Sequence, residues 1–296
     1  MADRVRYNGE WRSVYVFLVA PCYSRMLYVE FTQRQDMETL LNCLVHAFRY
    51  FAGITGSILT DNMKTVVVDR VDGQPRFHPK FLDFASYYGF VPRVCHPYRP
   101  ETKGKIESSI RFVKSSFWPP ADFNSLAELN GQALTWCGEA NGRIHATTRE
   151  IPRTRWALEG LIPLASQPDY DTSYVSHRQV AKDCLLSYSG NRYSVPYVHA
   201  GKSVVVREGV DSGSLRIFHQ QELIAEHRLA AGKGEMVIDR AHYGNLPRRS
   251  RLPLAPASTP ISVLLPGPGV GLHHAVPEVE MRPLSMYEEV AYVAAV

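Results

Sequence analysis

The sequence predicts a mixed α/β core followed by a small all-β barrel, and three observations carry that reading. Val14 to Ala20 is an unbroken apolar run, and Met26 to Phe31 follows it after Pro21 and Ser24; the first suits a strand covered on both faces and the two suit a hairpin. Leu40, Leu41, Leu44, Val45, Phe48 and Phe51 then recur at helical spacing. From about residue 173 the pattern changes to short β runs separated by Gly190-Asn191, Gly201 and Gly213, the signature of a small barrel.

The remaining elements follow in order. Asp36 is placed to cap the first helix and Gly53 to close it. Ser57 to Thr60 is a short strand with Asp61-Asn62 at its C-terminal end, and residues 69–76, around Asp72-Gly73, read as a loop. Phe81, Leu82, Phe84, Ala85 and Tyr88 mark a second helix stopped at Gly89, and Phe90 to Cys95 is extended. His96 to Lys105 is turn-rich. A helix after it carries Glu107 in its first turn, with Ile106, Ile110, Val113 and Phe117 on one face, and ends at Pro119-Pro120. Residues 125–160 read as helical and connecting. The chain past about residue 247 is rich in proline, glycine and serine and reads as disordered.

With 296 residues, 45% of them apolar and 21% charged, the chain has ordinary globular usage. That excludes collagen-like, coiled-coil and wholly disordered classes. No apolar run reaches the roughly 18 residues of a membrane span, and the start lacks the apolar stretch of a signal peptide. Five scattered cysteines with no C-x-x-C pair support neither a disulfide framework nor a zinc knuckle; a reducing, cytoplasmic setting fits.

The charge distribution is more informative than the net +4. Between Arg93 and Lys114 stand six basic residues (Arg93, Arg99, Lys103, Lys105, Arg111 and Lys114) against only Glu101 and Glu107. This window alone accounts for the whole formal excess. A cationic segment beside the carboxylates Asp61 and Glu107 suits a polyanionic backbone as substrate. Carboxylates alone repel phosphate, and a bound divalent cation reverses that logic.

Tyr23-Ser24-Arg25, Asp61-Asn62-Met63-Lys64-Thr65 and the block from His96 through Lys103-Gly104-Lys105-Ile106-Glu107 resemble the IstA-like transposases. These have a retroviral-integrase-type, ribonuclease H-like core. Leu129-Asn130, Trp136, Arg143 to Thr148 and Asn191-Arg192-Tyr193-Ser194-Val195-Pro196 resemble them too, so the likeness runs over roughly residues 10–230 in order. It implies a ribonuclease H-like mixed sheet with flanking helices. It implies DNA strand cleavage and strand transfer by two Mg²⁺ ions, with Mn²⁺ as substitute. Asp61 and Glu107 become the second and third metal-binding catalytic carboxylates. Asn62, Lys64, Arg99, Lys103, Lys105, Arg111 and Lys114 become DNA contacts. Implied partners are double-stranded DNA, an IstB-like ATPase helper and further copies of the chain on DNA, in the bacterial cytoplasm and at the nucleoid.

The first carboxylate departs from the pattern. The resemblance implies an aspartate before an aromatic residue on the first strand, where this chain offers only Asp3, followed by Arg4, and Glu10. Taking Asn8-Gly9 as the hairpin turn puts that aspartate at or beyond Met1, so the chain is expected to be N-terminally truncated, with Asp3 as a register-shifted substitute the other possibility. The expected domains are a core at 1–120 with an incomplete first strand, a helical connector at 121–170, a barrel at 171–246 and a tail at 247–296. An inactive, DNA-binding remnant is the alternative function. A nuclease acting on RNA–DNA hybrids shares the core, but the barrel argues against it.

Overall fold

The computed structural model describes residues 2–7, 10–95, 100–118, 123–164, 166 and 168–244, with side chains from Ser13 onward and excluding 100–106. The chain divides into residues 1–246 and 247–296; the tail, and the disorder expected of it, lie outside the described residues.

The apolar run becomes the middle of a three-stranded antiparallel sheet ordered β1 (Ala2–Tyr7), β2 (Glu10–Val19), β3 (Tyr28–Thr32). Tyr7 pairs with Glu10 and Val19 with Tyr28, so both hairpins form as read. Side chains alternate along a strand, and here both sets are covered. Val14, Val16, Leu18, Val29 and Phe31 face one apolar cluster, while Phe17, Val19 and Tyr28 face others.

Helix α1 (Met37–Phe51) covers the second face. The Asp36 side chain accepts from the Thr39 N–H at 2.9 Å, as its cap position predicts. The helix closes differently from expectation. Ala52, not Gly53, takes the left-handed conformation, at φ 52°. Gly53 begins β4 (Gly53–Ile54), paired with β9 (Ile162–Pro163). A Cβ on Gly53 would lie 2.9 Å from Leu161 Cβ and 3.0 Å from the Ile162 carbonyl oxygen, so close approach of the strand, not the cap, requires the glycine.

Then come β5 (Ser57–Thr60), β6 (Val67–Val71), β7 (Gln74–Phe77), α2 (Pro79–Tyr88) and β8 (Val91–Val94). Residues 69–76 are not a loop. They are largely the paired strands β6 and β7, turned by Asp72 and Gly73 at φ 50° and 77°, the pattern of a type I′ hairpin. Alternation there is weak because Val68, Asp69 and Val71 are all exposed, which hides the strand from a burial-based reading. Gly89 ends α2 at φ 73°, as read.

The opposite face is covered by α3 (Pro100–Ser116) and α4 (Leu126–Ala140). Val113 and Phe117 join Leu129, Ala133 and Cys137 against Val14, Val29 and Phe31. Helix α4 also closes the free edge of β3. Asn130 accepts from the Phe31 N–H at 2.7 Å and donates to the Phe31 carbonyl at 3.0 Å. Asn141 treats Leu27 alike, at 2.8 and 2.9 Å, and also donates to the Tyr50 hydroxyl at 2.9 Å. A carboxamide presents one acceptor beside its donors, so each asparagine substitutes for a neighbouring strand.

After α5 (Pro152–Trp156) the strands are β10 (Tyr174–Gln179), β11 (Leu185–Tyr188), β12 (Asn191–Ser194), β13 (Ser203–Glu208), β14 (Ser214–His219), β15 (Glu222–Arg228) and β16 (Met236–Val237). They form two sheets, β10-β13-β14-β15 and β11-β12-β16. Both pack on one core that includes Leu186, Tyr193, Val195, Val204, Val206, Leu215 and Ile217.

Asn141 is 1% exposed, so Asn141→Ala leaves two buried backbone groups and a hydroxyl short of partners. Urea unfolding should show a loss of about 2–4 kcal/mol, beyond the ~1 kcal/mol of one ordinary hydrogen bond.

Candidate functional site

The site is built at one end of a parallel strand pair. Strand β5 pairs with β8 so that Ser57 lies beside Val91 and Thr60 beside Val94. Cys95 N–H then donates to the Thr60 carbonyl at 3.1 Å. Asp61 follows β5 directly, and the basic segment that begins after Cys95 leaves from the same end. Open α/β sheets place ligand sites at the carboxyl ends of their strands. Ile58 and Val94 anchor the pair against the core of α1 and α2, while Leu59, Val91 and Arg93 are exposed.

Asp61 is exposed. Its Oδ1 accepts from the Asn62 N–H at 2.8 Å and its carbonyl accepts from the Met63 N–H, also at 2.8 Å. These bonds fold the chain tightly after the strand and fix the carboxylate's direction. Asn62 and Lys64 are exposed on that turn. Met63 tethers the far side: its carbonyl accepts from Val66 and Val67, whose side chains are buried.

The hairpin missed in the sequence brings a further cation. Arg70 donates to the Asn62 side-chain oxygen at 3.2 Å and to the Gly73 carbonyl at 3.1 Å. It therefore sits beside the Asp61-Asn62 turn. The signal that could have found it is Asp72-Gly73, a strong short-range hairpin mark.

Glu107 is exposed on α3. Because that helix begins at Pro100, Glu107 lies about two turns in and not in the first turn; proline is preorganised for the first helical position and starts the helix early. Arg111 is exposed and Lys114 half-buried on the same helix. Val113 and Phe117 bury the C-terminal half of α3. Arg99 lies outside the described residues, and Lys103 and Lys105 lie on α3 outside the described side chains. Asp3 stands opposite Val14 in β1.

Among the described residues, one group of carboxylates and imidazole gathers closely enough to share a cation. It is Glu30, His46 and Asp211, none of which the sequence singled out. No helix among the described residues is long and apolar enough to cross a membrane.

The Asn191-to-Val195 motif is structural. Asn191 donates to the Gly232 carbonyl at 2.8 Å and accepts from Glu235 N–H at 3.0 Å. Arg192 pairs with Asp183 at 2.5 Å. The Tyr193 hydroxyl accepts from Ala230 N–H at 3.1 Å, and Ser194 Oγ accepts from Asp239 N–H at 2.8 Å. One four-residue strand thus fastens the whole returning segment 230–239. Ser194 contacts His242 Nδ1 at 2.9 Å, but it is fully buried and open to no substrate.

Two family models match along the chain: "Integrase core domain" over residues 2–100 and "Mu transposase, C-terminal domain" over residues 164–239. A protein of Geobacillus stearothermophilus named as transposase for insertion sequence element IS5376 is 37% identical over 282 residues, covering 95% of this chain and 65% of the relative. The chain is thus similar to insertion-sequence transposases and matches an integrase core over its first third. The transposase for insertion sequence element IS21 of Pseudomonas aeruginosa is 36% identical over 272 residues, covering 90% of this chain and 62% of that protein. The chain thus spans somewhat under two thirds of these relatives. Among solved structures, the simian T-cell lymphotropic virus intasome in complex with PP2A regulatory subunit B56 gamma aligns at TM-score 0.40 and 12% identity, over 79% of this chain and 78% of that one. The catalytic core domain of BIV integrase aligns at TM-score 0.36 and 12% identity, over 53% and 91%. The integrase core family is divalent-metal dependent.

Asn191 is 2% exposed. Asn191→Ala should cost about 2–3 kcal/mol and, in amide exchange, loosen residues 230–237 before the core around α1.

Proposed function

We propose that this chain performs the DNA strand cleavage and strand transfer of an insertion-sequence transposase, using a pair of divalent cations. The observation that carries the reading is the placement of Asp61. It is an exposed carboxylate fixed at the carboxyl end of β5, with the basic segment leaving from the paired end of β8. Similarity to insertion-sequence transposases supports the same reading.

Asp61 and Glu107 would hold the cations, with Mg²⁺ the expected occupant and Mn²⁺ its substitute. Each donor is of the right kind, since hard, exposed carboxylate oxygens suit an ion that keeps several waters, and the first carboxylate that the resemblance implies is not among them. When bound, such ions polarise the phosphate and lower the pKa of an attacking water or 3′-hydroxyl. The protein's own share is positioning and charge. The Asn62 N–H and the tight turn aim Asp61, and the packing of Val113 in the core anchors the helix that bears Glu107. Asn62, Lys64, Arg99, Lys103, Lys105, Arg111 and Lys114 would contact DNA, with Arg70 added beside Asn62. Phosphate contacts of this kind supply affinity and position rather than sequence choice.

Partners follow from the family reading: duplex DNA at element ends and target, an IstB-like ATPase helper, and further copies of the chain. The setting is the bacterial cytoplasm, at the nucleoid when DNA is bound.

In a strand-transfer assay with Mg²⁺ and duplexes bearing the element's ends, Asp61→Asn and Glu107→Gln should each cut product at least about a hundredfold, since even supporting groups around metal ligands cost 10–100-fold. Thermal stability should barely change, because both side chains are exposed. Undiminished turnover in either variant would sink its assignment. For duplex binding, Lys103→Ala and Lys105→Ala should each flatten the slope of log affinity against log salt by about 0.9. An unchanged slope in both would remove the basic segment from the interface.

A further inference from the structure

The cluster that the sequence did not reveal joins two halves of the fold. Glu30 stands on β3, His46 on α1, and Asp211 in the loop at 209–213 between β13 and β14. His46 Nδ1 is 3.0 Å from Glu30 Oε1, and His46 Nε2 is 3.8 Å from Asp211 Oδ2. The two ring nitrogens thus face different carboxylates. A metal ion takes one nitrogen of an imidazole, whereas an imidazolium can hydrogen-bond Glu30 through one and pair with the charge of Asp211 through the other. The arrangement therefore suits a proton rather than a metal.

We propose that the His46 imidazolium is a proton-operated latch, holding the β13–β14 loop against the core and releasing it when the ring loses its proton.

The surroundings support a charged ring. Glu30 is buried to 8% exposure and its other oxygen accepts from the Tyr28 hydroxyl at 2.8 Å. Asp211 also accepts from the Asn42 carboxamide, one helical turn before His46. With the ring neutral, two carboxylates face each other across it with no cation between them. The Glu30 hydrogen bond raises the His46 pKa; burial works against it, the charges of Glu30 and Asp211 add to it, and Arg49 on the same helix opposes it. The net shift is upward. Burial, with Glu30, likewise raises Asp211 against the pull of His46 and Asn42. The other titratable neighbours stay neutral: burial first, then Glu30, pushes the Cys43 thiol and the Tyr28 phenol far up. A raised histidine contributes stability that is complete below its unfolded pKa of about 6.5 and lost as pH rises through the folded value.

The rest of the joint does not depend on this proton. Asp36 accepts from the Tyr174 hydroxyl at 2.8 Å on both oxygens. Thr172 donates to Asn42 at 3.1 Å, Tyr170 donates to Asp83 at 2.7 Å, and Arg49 pairs with Asp169. Segment 169–174 therefore stays tied to α1 and α2 while the loop at 209–213 is freed.

The test uses the full chain. The His46 ring is followed by NMR from pH 5.5 to 9, and amide exchange at 209–213, corrected for intrinsic rate, is followed over the same range. The expected results are a His46 pKa above 6.5 and protection that falls about threefold as the ring deprotonates, the weight of one partly exposed ion pair. His46→Gln should show low protection with no pH step. Asp211→Asn, changing a side chain that is 58% exposed, should lower the His46 pKa and remove the step without unfolding. A His46 pKa at or below 6.5, or the same step in His46→Gln, overturns the latch. So does Zn²⁺ restoring protection at pH 8 in the parent chain but not in His46→Gln, which would make the cluster a metal site. None of these readouts uses DNA or turnover.

Discussion

The edge of β3 is where this structure is held together. A three-stranded sheet buried on both faces still exposes backbone groups along its outer strand, and such an edge must be paired or covered. Asn130 of α4 and Asn141 at its C-terminal cap cover it with side-chain carboxamides at Phe31 and Leu27. Because those bonds are directional, they fix the position of α4 along the strand, which apolar contact alone would leave free to slide. Helix α3 then packs its C-terminal half between α4 and the sheet. The exposed part of α3, with Glu107, is placed by bonds made several layers away.

The other carboxylate owes its position to a different device. Strand β5 is short and half-exposed, and it is held through β8 and the α1–α2 core. The tight turn after it projects Asp61 into solvent. A strand end and a helix thus position the two acidic groups, as the proposed metal-holding role requires. The β region is tied on separately, through Tyr170, Thr172 and Tyr174 to helices α1 and α2, and through Asp211 to His46. The motifs that mark this family accordingly divide. Asn191, Tyr193, Ser194 and Val195 are buried and maintain the fold, whereas the Asp61-to-Lys64 turn is exposed.

Much of this was legible without coordinates. The Val14–Ala20 strand, the cap at Asp36, the stop at Gly89 and the placement of Asp61 after a strand all follow from local signals: period, capping chemistry and turn residues. The hairpin at 67–77 was missed because its side chains are mostly solvated on both faces, so no alternation marks it. Gly53 has the local look of a helix stop because its real constraint, the approach of Leu161, lies more than a hundred positions away. Glu107 lies a turn deeper in α3 than the local pattern indicates, because Pro100 starts the helix and the proline-bracketed segment around it carries turn signals.

By itself the sequence determined the class of fold and the likeness to insertion-sequence transposases, and it nominated the two carboxylates with their basic companion segment, because these are written in residue types at short separations. Only the tertiary structure decided what Asn130, Asn141, His46 and Asp211 are for. Each is an ordinary polar residue in its own neighbourhood. Each acquires a role from a partner brought in by folding: Phe31 to Asn130 across 99 positions, Leu27 to Asn141 across 114, and Asp211 to His46 from the far side of the chain. Hydrogen bonds and ion pairs act over about 3–4 Å, and no local pattern of residues records which distant atoms will come within that reach.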